Sequence, residues 1–247
     1  MHGSKVRVAA DVLDANATIA RANRADFDRA GVRVVNLMSA PGAGKTSLLE
    51  RTLVACAGAP GEQGGSENGR SGRGNEKALT GVRVGVLEGD VQGSLDAERI
   101  AALHVPVTQL NTDPGFGGEC HLDANMVRSA LPAVALGEID LLVIENVGNL
   151  VCPAEFRVGE DARAMVAAVT EGEDKPLKYP LMFRTCELVV INKLDLLSYL
   201  DFSLEVFLGN LDRVNPGVRH MLVSARSGEG VSAFGEWLAA VAAGAPA

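Results

Sequence analysis

The first apolar run, Val34 to Met38, breaks into Ser39-Ala40-Pro41-Gly42-Ala43-Gly44-Lys45-Thr46, and apolar residues return at Leu48 and Leu49 with helical spacing. A short run, a glycine-rich turn and a switch to helical periodicity predict strand, loop and helix in succession. The pattern recurs: 82–87, 105–110, 139–144, 188–191 and 221–223 read as strands, separated by helical stretches at 95–103, 122–131 and 202–211 and followed by a closing helix to Val241. Upstream, Val12, Leu13, Ile19, Ala20 and Phe27 recur at three- to four-residue spacing, so residues 6–30 read as a helix within an N-terminal arm, 1–30. Strands alternating with helices predict an α/β domain over residues 31–247, with three layers and a mostly parallel central sheet. Such a sheet binds its ligand at the carboxyl ends of its strands.

Three stretches interrupt the pattern. Residues 57–77, AGAPGEQGGSENGRSGRGNEK, have almost nothing to bury, so a mobile insertion is expected, reaching about residue 80. Residues 111–119 read as a turn-rich loop and 171–180, EGEDKPLKYP, as a charged loop bounded by proline.

At 247 residues and 47% hydrophobic, the chain is long enough for a full core. No apolar run reaches the eighteen or so residues a membrane span needs, and Met1-His2-Gly3-Ser4-Lys5 does not open a signal peptide, so no membrane association is expected. A net charge of −8 argues against a nucleic-acid partner held on a general basic surface. The four cysteines, Cys56, Cys120, Cys152 and Cys186, form no C-x-x-C pair and read as the reduced thiols of a cytoplasmic protein.

The interruption after the first strand carries chemistry. In the phosphate-loop pattern G-x-x-x-x-G-K-[ST], glycines let backbone N–H groups turn inward around an anion, and the following helix adds its unpaired donors. Gly42, Gly44, Lys45 and Thr46 fit the pattern, with Ser39 where its first glycine would stand. The segment Pro41, Gly42, Ala43, Gly44, Lys45, Thr46 and Ser47 is expected to cradle nucleotide phosphates, with Lys45 on the terminal phosphates and the Thr46 hydroxyl on Mg²⁺. Asn192-Lys193-Leu194-Asp195 follows a buried run, and an aspartate there can accept guanine's ring N–H and exocyclic amine. Asn192 would bond the purine edge, the Lys193 stem would cover the ring, and Ser224-Ala225-Arg226 would offer the Ala225 N–H to the guanine oxygen. Hydrolysis needs a metal and a placed water. Asp90 and Glu145 end strands and are the candidates: Asp90 to hold Mg²⁺ or orient the water, and Glu145 to begin a second switch whose Gly148 N–H senses the γ-phosphate. Asp96 is the alternative for the Asp90 role. Cys120-His121 pairs soft and borderline ligands suited to Zn²⁺ or Ni²⁺, and Cys152, four residues past Gly148, supplies a third.

These stretches resemble the hydrogenase nickel-incorporation GTPases, the HypB family. The likeness is carried by residues 36–46, Glu88-Gly89-Asp90, Cys120-His121-Leu122-Asp123-Ala124, Glu145 to Pro153 and Asp174 to Pro180. The resemblance accounts for Ser39 and implies a GTPase that makes GDP and phosphate, dimerises on binding GTP, and holds Ni²⁺ or Zn²⁺ through Cys120, His121 and Cys152 at the dimer interface. It further implies a small nickel-delivery protein (HypA) and the [NiFe]-hydrogenase large-subunit precursor as partners. Lys175 and Lys178 would cross to the partner's nucleotide. One departure is that only His2 precedes the core where some relatives carry a cysteine motif or a histidine-rich stretch. The urease-accessory GTPases are the alternative, but their metal motif is Cys-Pro-His, whereas Cys120 and His121 are adjacent. A carrier that uses GTP only as a dimer clamp is a further alternative.

Overall fold

β1 (Arg33–Ser39) lies at the centre of a parallel sheet, between β4 (Leu141–Glu145) and β5 (Ala162–Ala168). β2 (Val84–Asp90) and β3 (Val107–Asn111) extend it on one side, and β6 (Leu188–Asn192) and β7 (Arg219–Leu222) on the other, giving the order β3-β2-β4-β1-β5-β6-β7. The computed structural model describes residues 7–57, 79, 81–91, 93–112 and 119–245. Residues 58–78 and 80 of the expected insertion and 113–118 of the 111–119 loop therefore lie outside the described residues, while Ala57 ends a helix and Leu79 is buried in the core, so neither belongs to a mobile stretch. No helix among those described is long and apolar enough to cross a membrane.

The strands are near-continuous apolar runs because helices cover both faces of the sheet. On one face, Val35 and Leu37 of β1 pack with Leu48 and Leu49 of α2 (Lys45–Ala57) and with Phe234 and Trp237 of α9 (Val231–Ala242), joined by Ile100 of α3 (Leu95–Ala101). On the other, Val34 packs with Phe27 of α1 (Arg7–Ala30) and Val127 of α4 (Ala124–Ala130). Met38 faces the same way and packs with Phe183 and Phe207, from α7 (Pro180–Arg184) and α8 (Leu204–Val214). Alternate residues of one strand thus face opposite layers, as a pleated backbone requires.

The helix expected over 6–30 is α1, and it is fastened by more than its apolar face. The buried Asn23 amide donates to the carbonyls of Ala124 and Val158, at 2.8 and 3.1 Å. Asn16 accepts from the Ala124 N–H and donates to the Arg157 carbonyl, at 2.9 and 2.8 Å. Gly159 has φ 103°, and a Cβ there would come within 2.8 Å of the Ala20 carbonyl, so only glycine allows the chain to pass this close to α1. Helix α1 is thereby tied to the start of α4 and to the segment that follows α5 (Cys152–Glu155).

Two expectations need correction. β5 is absent from the predicted strands: its sequence, ARAMVAA, is rich in alanine, a good helix former, and all seven residues are buried, so no alternation betrays it. The stretch 171–180, expected as a loop, contains a 3₁₀ turn ending at Glu171, the single-turn α6 (Lys175–Lys178) and the start of α7. Pro176 and Pro180 sit in the first turns of α6 and α7, where the missing N–H costs nothing.

Candidate functional site

The strand register brings the chemistry to one edge. β1 pairs Leu37 with Glu145, and β2 pairs Glu88 with the same Glu145, so the phosphate loop, Glu145 and the Glu88-Gly89-Asp90 turn emerge side by side. In the loop, Gly42 and Gly44 take φ of 71° and 94°, conformations that favour glycine. The Lys45 ammonium donates to the Ser39 hydroxyl at 2.8 Å. The serine that replaces a glycine of the general pattern therefore holds the lysine. The Thr46 hydroxyl donates to Glu145 Oε1 at 2.7 Å, and both residues are buried.

A cavity of about 510 Å³ opens over this loop, lined by Lys45, Thr46, Ser47, Glu88, Asp90, Glu145 and Gly148 among others. Glu88 and Glu145 each have a buried Oε2 without a hydrogen-bond partner. Burial, and then the charge of Glu145, push the Glu88 carboxyl up to about 10, so at neutral pH it holds a proton. Glu145 is also raised, chiefly by burial, and opposed by Lys45 and by its bond from Thr46. Asp90 sits nearer the mouth, its Oδ1 accepting from the Val91 N–H at 2.6 Å. Asp96 is paired with Arg99 at 3.0 Å. Hydroxyl and carboxylate donors with two orphaned oxygens suit a hard divalent cation such as Mg²⁺.

On the other side of the loop a second cavity, about 550 Å³, is lined by Gly44, Ser47, Arg51, Asn192, Lys193, Asp195, Ala225 and Arg226 among others. Here Asn192 has protein partners of its own. Its side chain is buried, donates to the Ala43 carbonyl at 3.0 Å and accepts from the Ala225 N–H at 3.1 Å. It clips the phosphate loop to the turn after β7 through the Ala225 N–H, the same group expected on the guanine oxygen. Gly44 is required beneath it, since a Cβ there would lie 2.7 Å from Asn192 Nδ2. Lys193 adopts φ 65°, and its ammonium donates to the Gly42 carbonyl at 2.7 Å. Asp195 accepts from the Ser224 hydroxyl at 2.6 Å while still lining the cavity.

The third cluster joins residues 32 positions apart. Cys120 Sγ lies 3.1 Å from Cys152 Sγ and 4.0 Å from His121 Nδ1, and the ligand atoms of the three all fall within 4.8 Å of one another. The His121 ring packs against Phe156, centroids 4.5 Å apart, and burial lowers its pKa, which favours the neutral, ligating form. The Cys152 thiol is raised by its hydrogen bond with Cys120 and then by burial. Thiolate and imidazole donors at these separations fit Ni²⁺ or Zn²⁺. Lys178 is paired with Asp174 at 2.5 Å, and the Lys175 ammonium lies 5.3 Å from the Tyr179 ring.

Sequence reasoning gave no role to Glu88, Asn146, Asn149, Arg99 or Arg163. Glu88 had a usable signal, since it shares a strand face with Asp90 two residues on. The others are defined only by long-range contacts.

A glycine-rich loop between a buried central strand and a helix, with its lysine and threonine turned to a cavity edged by strand-end carboxylates, defines a P-loop nucleotide-binding protein. Comparison with known proteins agrees. The profile of the CobW/HypB/UreG nucleotide-binding domain matches residues 75–221. The hydrogenase maturation factor HypB of Azotobacter vinelandii is 46% identical, over 95% of this chain and 68% of that protein. The factor of the same name from Escherichia coli K12 is 43% identical, over 94% and 71%. Among solved structures, HypB of Archaeoglobus fulgidus superposes with a TM-score of 0.76 at 32% identity, over 93% of this chain and 99% of that one. HypB of Helicobacter pylori in complex with nickel gives 0.77 at 29%, over 94% and 97%. The chain belongs to the HypB family of hydrogenase maturation factors.

Proposed function

We propose that the chain is a GTP-hydrolysing metallochaperone whose nickel affinity is set by its nucleotide. One observation carries this reading: the loop 145–152 begins at the carboxylate that holds Thr46 and ends at the cysteine 3.1 Å from Cys120. Any shift in that loop on loss of the γ-phosphate is felt at the sulfurs.

In this scheme Pro41 to Ser47 bind the phosphates, with Lys45 neutralising charge on the terminal groups. Thr46 and Asp90 would hold Mg²⁺, which supplies charge neutralisation at the transferring phosphoryl group when bound. Glu145 orients Thr46 and, with Asp90, the attacking water, while the Gly148 N–H reports on the γ-phosphate. Guanine occupies the cavity beside Asp195, flanked by Lys193, Ser224, Ala225 and Arg226, with Asn192 fixing the walls and offering its second amide hydrogen to the purine edge. Cys120, His121 and Cys152 take Ni²⁺ or Zn²⁺ as cargo. Two sulfurs and one imidazole leave a four-coordinate ion one ligand short, so a GTP-dependent homodimer that pairs two such triads would complete the site. A nickel-bound relative and the maturation-factor names of the family support nickel as cargo. The maturation-factor names also support a place in hydrogenase maturation, and the proposal takes a small nickel-delivery protein (HypA) and the [NiFe]-hydrogenase large-subunit precursor as partners, in the cytoplasm. Lys175 and Lys178 face the partner's nucleotide in that dimer.

The test is phosphate release from GTP and ATP by wild type and Asp90→Asn, alongside analytical ultracentrifugation with a non-hydrolysable GTP analogue. GTP-selective release that Asp90→Asn abolishes, with dimerisation by the analogue, is expected. Equal use of ATP, or an analogue-bound monomer, would refute the reading.

A further inference from the structure

Two asparagines in the loop after β4 grip the Cys120-His121 segment from opposite sides, and they differ in what else they hold. Asn146 is buried and bonded all round. Its N–H donates to the Leu37 carbonyl of β1 at 3.0 Å, and its amide nitrogen donates to Asn36 Oδ1 at 3.3 Å. Its Oδ1 accepts from the N–H groups of Val147 and Leu122, at 3.0 and 2.9 Å. The residue following His121 is thereby fixed to the central strand. The imidazole is further held by Phe156, whose carbonyl accepts from the buried Arg163 of β5 at 3.0 Å.

Asn149 has no bond to the sheet. Its amide nitrogen donates to the Cys120 carbonyl at 3.2 Å, and its Oδ1 accepts from the N–H of Val151, the neighbour of Cys152, at 2.8 Å. One half-buried side chain therefore ties together the two segments that carry the sulfurs. Immediately before it, Gly148 lies so close to the phosphate loop that a Cβ would be 2.9 Å from Pro41 Cα. The loop is seated on phosphate-loop backbone at residue 148 and on both cysteine segments at residue 149.

We infer that Asn149 is the tether through which nucleotide state reaches the metal triad. The two sulfurs ride with the loop as one unit, while the imidazole stays with the sheet. A nucleotide that draws Thr46 away from Glu145, or displaces Gly148 from Pro41, changes the sulfur-to-imidazole spacing and with it the affinity for a thiophilic divalent ion. This inference rests on the nucleotide-linked metal binding proposed above and names the residue that performs it. Asn149 is a positioning residue: its side chain holds the Cys120 and Val151 backbone and the Cys152 thiol and acts on the metal through them.

The experiment is a Ni²⁺ competition titration against a chelating indicator, with GDP and with a non-hydrolysable GTP analogue, on wild type, Asn149→Ala and Asn149→Asp. GTP turnover is followed in parallel. Asn149→Asp retains the acceptor for Val151 but cannot donate to Cys120 or to the Cys152 sulfur, and its added charge acts in both nucleotide states and so cancels in the affinity ratio; it remains informative if the alanine variant folds poorly. The ratio of Ni²⁺ affinities in the two nucleotide states is expected to move toward one in both variants, by about two- to tenfold for a bond of ordinary strength, with GTP turnover preserved. A ratio unchanged from wild type in both variants overturns the tether. So does an equal loss of affinity in both states, which would make Asn149 a static prop. A wild-type ratio of one is a different failure, removing the coupling itself and the tether with it.

Discussion

Replacing Asn192 by alanine tests the clip between phosphate loop and base-side turn, because the buried side chain bonds to both. The substitution deletes two hydrogen bonds and leaves the buried Ala43 carbonyl and the partly buried Ala225 N–H without those partners. A lost bond costs about 1 kcal/mol net, and a buried group left unpaired costs about 1–3 kcal/mol. Ala225 is only partly buried and can recruit water, so a loss of about 2–4 kcal/mol is expected. That is a large share of the roughly 5–15 kcal/mol by which domains are usually stable. GDP affinity should fall too, because the two walls of the base cavity are no longer held at fixed separation. Urea unfolding with and without GDP measures both terms. Asn192→Asp keeps the acceptor for Ala225 but aims a carboxylate at a carbonyl oxygen, so it should lose at least as much as alanine. Unfolding midpoints and GDP affinity equal to wild type in Asn192→Ala would refute the clip. An unfolding midpoint equal to wild type with a lowered GDP affinity would instead leave a contact to the purine edge as the role of Asn192.

Asp195→Asn should weaken GTP by about a hundredfold or more and improve xanthosine triphosphate, whose carbonyl at the corresponding ring position meets an amide donor; competition binding with the two nucleotides checks it. In the nucleotide-free protein the folded state keeps the Glu88 proton from the ordinary value of 4.5 up to about 10, whereas the unfolded chain releases it near 4.5. The folded state then holds more protons across that window, so this group's contribution to stability falls as pH rises through it. Glu88→Gln, which mimics the protonated form, should flatten the decline in urea midpoint between about pH 6 and 9, and an unaltered slope would contradict the assignment. Arg163→Met strands the buried Glu160 carboxylate and frees the Ala154 and Phe156 carbonyls, so a loss of about 3–5 kcal/mol in chemical unfolding is expected. Adding Glu160→Gln should recover part of it.

What the sequence disclosed was local. The strand–loop–helix at Val34 to Leu49 and the tetrapeptide after β6 are contiguous, and periodicity alone locates them. β5 was hidden because a strand buried on both faces shows no alternation, and alanine at four of its seven positions favours helix. Arg163, its second residue, reads as surface until its bonds to Ala154, Phe156 and Glu160 are seen. The neighbours of Asn192 point to the base, but its protein partners, Ala43 and Ala225, lie 149 and 33 positions away and leave no local trace. The nearness of Cys152 to Cys120 could be suspected from a cysteine following a switch glycine. The asparagine amides that bind those segments together have no sequence signature at all.

The central claim is that nucleotide and metal share one moving loop, and nickel K-edge X-ray absorption on the protein loaded with Ni²⁺ reads it at the metal. Spectra with GDP and with a non-hydrolysable GTP analogue should differ in sulfur ligand number or nickel–sulfur distance, and removing Cys120 or Cys152 should erase the difference. Identical sulfur shells in the two nucleotide states, or a shell indifferent to both cysteines, would contradict the account.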